Sequence, residues 1–247
     1  MRILGLDTAT ALASVALLED GRLLAAATYP PRGQIDLTGA VKSNHAETVI
    51  PLIQSLLDGA GMTLSDLNAI AISIGPGSFT GLRIGLALVK GIAYDHQLPV
   101  VGMSSLEARA ASLPNSSGPI CALLDARKEE VYAALFHGSD GQFARRSDDR
   151  ALAVGELASV IGAGVDAVKF VGNGAQRYRQ ELTRMFHGRA EIIDERSCKN
   201  AAAAVAELAQ SRCYETLGAD LGTLQPLYLG ASQALGNIPV SLPNPLK

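Results

Sequence analysis

Apolar residues in this chain fall into short strand-like runs separated by helical stripes, and the runs repeat. The first, Ile3-Leu4-Gly5-Leu6, stops at Asp7 and is followed by Thr8-Ala9-Thr10. Ser14 to Leu18 then reads as a strand that Glu19-Asp20-Gly21 turns back, Asp-Gly being strong hairpin chemistry. The same grammar returns at Ile120 to Leu124 ending in Asp125, with polar Ala126 to Glu130, a strand Val131 to Phe136, and then His137-Gly138. A second pair of segments matches as well. Asn68 to Ile74 runs into Gly75-Pro76-Gly77 and a helix, and Asp166 to Val171 runs into Gly172-Asn173-Gly174 and a helix. Two matches in the same order predict a duplicated α/β lobe.

Between these strands the spacing predicts helices over Ala46 to Asp58, closing at Gly59, and over Phe79 to His96. In the second lobe it predicts helices over Leu152 to Ile161, Ala175 to Phe186, and Ala201 to Thr216, the last capped by Asn200 with Gly218 just past its end. The expected organisation is a first lobe over residues 1–103 and a second over 104–218, with about 219–238 packing back on the first and a flexible tail over 239–247. Pro30 to Ser43 lacks periodicity and reads as a surface loop.

The helix Phe79 to His96 carries apolar residues on two faces: Leu82, Leu86, Val89 and Ala93 on one, Ile84, Leu88 and Ile92 on the other. Gly81, Gly85 and Gly91 lie inside it, each costing about 1 kcal/mol against alanine, so close approach by another element is expected there. One face can pack on the lobe's own sheet. The other, with the wide apolar stripe of the preceding helix, predicts a partner-facing patch made by Val49, Ile53, Gly81, Ile84, Gly85, Leu88 and Ile92, which pairs with a second copy or with another protein.

Composition narrows the classes. The 247 residues are 48% hydrophobic, enough for a real core. Net charge is -3, so no overall positive field draws the chain to a polyanion, and any role with RNA is expected to be indirect. Aromatics are 4% with no tryptophan, which argues against base-stacking platforms. Cys121, Cys198 and Cys213 form no C-x-x-C pair and read as reduced structural thiols. No apolar run reaches leader or transmembrane length, so a cytoplasmic protein with no membrane partner is expected.

Two strands ending in aspartate, each with a glycine turn before a helix, describe a nucleotide clamp between lobes. Its candidate residues are Asp7, Thr8, Thr10, Gly75, Gly77, Ser78, Asp125, Arg127, Gly172 and Gly174. The alternative for each aspartate is that it caps its own turn. The run Gly75-Pro76-Gly77-Ser78-Phe79-Thr80-Gly81-Leu82-Arg83 is neither a dinucleotide fingerprint nor a P-loop, and Pro76 and Thr80 replace the glycines of a nucleophile elbow around Ser78. The Asp7 loop has no glycine to admit a phosphate, so weak nucleotide binding or none is expected. His45, His96, His137 and His187 are not spaced as a metal pair, and His45 reads as a local hydrogen-bonding group; no metal and no cofactor are expected.

These residues resemble a known family. Ile3 to Thr10, the run Gly75 to Gly85, and Leu124-Asp125-Ala126-Arg127 with Glu130-Val131-Tyr132 are similar to the bacterial TsaB (YeaZ) family. The resemblance covers the first lobe and the opening hairpin of the second. It implies an α/β fold of two actin-like (RNase H-like) lobes, each a mixed sheet with helices. It also implies a non-catalytic subunit working with the catalytic TsaD and the ATPase TsaE in forming threonylcarbamoyladenosine at adenosine 37 of tRNA, and a homodimer when alone.

Metal-holding relatives carry a His-x-x-x-His pair after the strand that here reads Pro99 to Gly102. Ser105 and Arg109 stand in those places, and neither can replace a neutral imidazole. Two enzyme readings compete: an ATP-dependent kinase or phosphatase using Asp7 and Asp125, and a metallopeptidase of the same superfamily, which the absent histidines oppose. The loop over 30–43 is longer than the family's, and Gly230 replaces the arginine of its closing motif.

Overall fold

A computed structural model describes residues 1–30, 45–114, 116–139, 142–161, 167–216 and 221–229. The chain enters through β1 (Arg2–Asp7), β2 (Ala13–Glu19) and β3 (Arg22–Tyr29), then α1 (His45–Ala60), β4 (Ala69–Gly75), α2 (Phe79–His96) and β5 (Val100–Ser104). After α3 (Ser105–Ala111) come β6 (Gly118–Arg127), β7 (Glu130–Ser139), β8 (Gln142–Arg145), β9 (Arg150–Ala153) and α4 (Leu157–Ile161). β10 (Val168–Val171), α5 (Asn173–Arg177), α6 (Arg179–Met185), β11 (Ala190–Ile192) and α7 (Ala201–Thr216) complete it.

The two sheets share one topology. The first runs β3-β2-β1-β4-β5 and the second β8-β7-β6-β10-β11, with β9 also paired to β7. In each, the first strand pairs antiparallel with its hairpin partner and parallel with the strand that runs into the glycine turn. The duplicated lobe read from the sequence is therefore the observed fold. At the β2–β3 turn Asp20 and Gly21 both adopt left-handed φ (48° and 79°), the twist that a two-residue hairpin needs.

Both faces of the first sheet are covered, which is why its central strands read as unbroken apolar runs. Leu4, Leu6, Ile70 and Ile72 meet Val49, Ile53 and Leu57 of α1 and Leu86 and Val89 of α2. The other face, with Ile3, Ala71, Val101 and Met103, is covered by Ala202, Ala203, Val205, Ala206 and Ala209 of α7. This corrects the expected boundary at residue 218, since α7 follows the second sheet in sequence yet packs on the first. The reason lies in side-chain size. A methyl at Gly5 would sit on the Ala202 carbonyl, and the alanine face of α7 lets the helix backbone lie directly on β1. Asn200 caps α7 by accepting from the Ala203 amide at 3.1 Å.

In the second lobe α4, α5 and α6 cover one face through Leu157, Ala175, Tyr178 and Leu182, while α3 covers the other through Leu106 and Ala110. Three sequence expectations change here. Residues 152–153 of the expected helix Leu152 to Ile161 belong to β9, which pairs with β7, and only Leu157–Ile161 is α-helical. The expected helix Ala175 to Phe186 breaks at Tyr178, whose φ of -102° and ψ of 24° separate α5 from α6. The strand expected to end at Phe136 continues through His137-Gly138 as part of β7. Leu221 and Leu224 pack against the first core and Leu229 against the second, so residues 221–229 touch both lobes. Residues 31–43 of the expected loop, Gly218, Gly230 and the expected tail lie outside the described residues.

Candidate functional site

Asp7 ends β1 at the sheet edge where a clamp would begin, and it is wholly buried. One carboxylate oxygen accepts from the Ser73 hydroxyl of β4 at 2.7 Å, the other from the Ala9 amide at 3.2 Å and from the Arg109 guanidinium of α3 at 3.2 Å. Parallel pairing of Leu6 with Ile72 sets Ser73 beside Asp7. The Arg109 side chain is only 12% exposed, and its Nε has no hydrogen-bond partner among the described residues. Ser105, one helical turn earlier, is also buried, its hydroxyl without such a partner. Both positions of the vanished histidine pair thus point inward, and Arg109 is the residue whose role sequence reasoning missed.

The glycine turns hold protein rather than space. A methyl on Gly75 would strike the Leu227 carbonyl, one on Gly77 the Ala9 carbonyl, and one on Gly81 the Thr8 carbonyl. Gly85 lies equally close to the Thr8 hydroxyl. The expected close approach therefore exists at Gly81 and Gly85, while Gly91 has open space around it. Ser78 caps α2 through its side chain, accepting from the Gly81 amide at 3.2 Å, and its own amide donates to the Ala9 carbonyl at 2.7 Å. His45 Nε2 donates to the half-buried Thr10 at its carbonyl, 2.9 Å away, so its hydrogen bond reaches back to the Asp7 loop 35 residues earlier rather than being local to α1. The strap 221–229 is pinned by the Leu227 amide on the Ile74 carbonyl at 2.7 Å, and by Tyr228, which stacks on Phe79 and accepts from Arg83 Nε at 2.8 Å.

Asp125 is half-buried and is served by its own neighbourhood: the Arg127 amide at 3.0 Å, Arg177 Nε at 3.5 Å and the Tyr178 hydroxyl at 3.5 Å. Its partners come from its turn and α5, those of Asp7 from its own loop, β4 and α3, and the two carboxylates share none. Arg127 itself is exposed and in the left-handed region. Methyls on Gly172 and Gly174 would run into the backbone of Leu123 to Asp125, so these glycines let α5 lie against β6. An actin-like clamp implies a nucleotide with a divalent cation between the lobes. The residues present do not fit it: carbonyl oxygens line the glycine turns, and a guanidinium sits on Asp7. Among the described residues no three His, Cys, Asp or Glu side chains come together as metal ligands. Burial pushes the Cys121 thiol well above its ordinary value.

Helix α3 is pinned from the second lobe as well. The Ser104 hydroxyl donates to Asp149 at 2.6 Å, and Arg145 pairs with Asp149 at 2.5 Å and with Glu107 at 3.5 Å while lying over the Phe136 ring. The Asp149 side chain is 5% exposed, and burial raises its pKa against the opposing pull of Arg145 and Ser104. A carboxyl that binds its proton more tightly when folded contributes stability that is complete below the unfolded value near 3.8 and is lost as pH rises through the folded value. Urea unfolding measured from pH 4 upward is expected to show this decline for the wild type. Asp149→Asn should flatten it, and an unchanged slope would assign the pH dependence elsewhere.

Of the expected partner patch, Val49, Ile53, Gly81 and Gly85 are buried within the lobe and cannot face a partner, because α1 and α2 use them to seat on the sheet and on Thr8. Ile84, Leu88 and Ile92 are half-buried, the last two against the edge of the core. Ile50 is 56% exposed.

Two lobes of one duplicated topology, closed around an aspartate at the end of β1, define an actin-like α/β protein. A family model described as TsaD: tRNA N6-adenosine threonylcarbamoyltransferase matches residues 39–234. The chain is 40% identical to the tRNA threonylcarbamoyladenosine biosynthesis protein TsaB of Escherichia coli over 55% of each chain, about half that relative's length. It is 30% identical to the Bacillus subtilis TsaB over 74% of this chain and 75% of the relative. The solved structure of YeaZ from Pseudomonas aeruginosa is similar with a TM-score of 0.74 at 29% identity, covering 92% of this chain and 99% of that one. The chain belongs to the TsaB family, within the wider family that the TsaD model describes. No helix among the described residues is long and apolar enough to cross a membrane.

Proposed function

We propose that this chain is a non-catalytic cytoplasmic subunit for threonylcarbamoyladenosine formation at adenosine 37 of tRNA, working beside a TsaD-type catalytic partner and a TsaE-type ATPase. The single observation that carries the non-catalytic half is α3: its inward positions hold Ser105 and Arg109, and Arg109 is bound to Asp7. A hydroxyl and a permanent cation cannot replace two neutral imidazoles as metal ligands, and neither is a general base. The relatives' names support the pathway, and the net charge of -3 supports contact with tRNA through the complex rather than alone.

The test is reconstitution with each subunit omitted in turn, together with depletion of this protein in its host, read by mass spectrometry of nucleosides from total tRNA. Threonylcarbamoyladenosine is expected to fall to background when this chain is missing, and the chain alone should transfer nothing. Undiminished modification in its absence would refute the assignment, and modification by the isolated chain would make it an enzyme.

A further inference from the structure

The disagreement between an actin-like clamp and the residues found here is itself informative. Asp7 is the one wholly buried aspartate of β1, and a carboxylate at that depth needs a positive partner or loses its charge. In this chain the partner is covalently attached: the Arg109 guanidinium sits 3.2 Å from the carboxylate, 102 residues away in sequence. Gly75, Gly77, Gly81 and Gly172 are each met by a main-chain carbonyl, from Leu227, Ala9, Thr8 and Leu123 respectively. On their Cβ side these turns are occupied by the chain itself, with carbonyl oxygens, which repel phosphate oxygens, turned toward them.

We infer that Arg109 is a built-in counter-cation: it occupies the place of a divalent ion at Asp7 and fixes β1 to α3, so the lobes are held closed without any nucleotide. Helix α3 carries this link into the second lobe. It packs against β6 and β7 through Leu106 and Ala110, and Glu107 and Ser104 meet Arg145 and Asp149. The β1–α3 pair and the α3–Asp149 network together tie one sheet to the other through a single short helix. The link between the sheets is thus made of this chain's own side chains.

The experiment compares melting temperatures of the wild type, Arg109→Ala and Asp7→Asn/Arg109→Ala. Removing the guanidinium strands a buried carboxylate, and Arg109→Ala is expected to melt roughly 10 °C lower. The double variant removes the stranded charge and should recover most of that loss; where Arg109→Ala does not fold at all, recovery of folded protein in the double variant reads the same point. A double variant no better than Arg109→Ala would overturn the inference. Millimolar manganese chloride should raise the melting temperature of Arg109→Ala by a few degrees while leaving the wild type and the double variant unchanged. If all three respond alike, or none does, the guanidinium does not stand in a cation's place. Calorimetry with magnesium and ADP on the wild type should show no binding heat, and saturable binding would show that the cleft is open.

Discussion

Gly81→Ala is expected to destabilise the protein by about 3 kcal/mol, against the helix propensity that favours alanine in the interior of α2. The added methyl would lie on the Thr8 carbonyl oxygen, and that neighbour is backbone, which cannot rotate away. Relief requires α2 to lift from the Asp7 loop. Lifting it also disturbs the Ser78 amide on the Ala9 carbonyl and the Ser78 cap of the helix. Gly91→Ala in the same helix is expected to change stability with the opposite sign, a gain of about 1 kcal/mol, because nothing lies within contact of its methyl. Chemical denaturation of both variants at equal protein concentration checks the pair. Equal effects at the two positions would show that α2 tolerates glycine replacement generally and that its approach to Thr8 is loose.

The contrast between these glycines marks how far the sequence could be read. Strands buried on both faces announce themselves as apolar runs ending at a turn, so β1, β4 and β6 and the duplication were legible, as was α2 from its periodicity. The α7 packing was not, because an alanine-rich helix shows no large apolar stripe and its partner, Gly5, lies some 200 residues earlier. Propensity also could not separate β9 from a helix over Leu152 to Ile161, since pairing with β7 decides it.

At the site, the loss of two histidines was visible but the ion pair that replaces them was not. A signal was present: Arg109 lies in Ser105-Leu106-Glu107-Ala108-Arg109-Ala110-Ala111, a short helix whose one carboxylate, Glu107, is two residues away and so on a different face, which calls for a counter-ion from elsewhere in the chain. Local sequence cannot say which aspartate supplies it. The same limit governs the partner patch, where periodicity separated two faces of α2 correctly but could not tell a glycine that admits a neighbouring chain from one that admits Thr8 of its own.

Ile50→Glu/Ile84→Glu is expected to leave the monomer folded and to weaken association, with a second copy and with a TsaD-type partner, by at least about thirtyfold. At 100° per residue Ile84 lies on the side of α2 opposite Leu82, Leu86 and Val89, which are buried against the sheet. It belongs to no core cluster among the described residues, and Ile50 stands on the neighbouring helix with more than half its surface in solvent. Leu88 is a poorer choice, because it packs on the edge of the core and a charge there would lower stability and association together. Two desolvated apolar contacts at the centre of a helix-on-helix interface are worth about 2 kcal/mol or more, and the thirtyfold figure follows from that. Introducing two carboxylates adds like-charge repulsion wherever the patch meets its own copy. Circular dichroism and the unfolding midpoint establish that the variant is folded. Light scattering on a sizing column then reads the mass of the protein alone and of its mixture with the partner. An unchanged complex with a folded variant would place the interface away from the α1–α2 face, and with it the reading of this lobe as the partner-binding half.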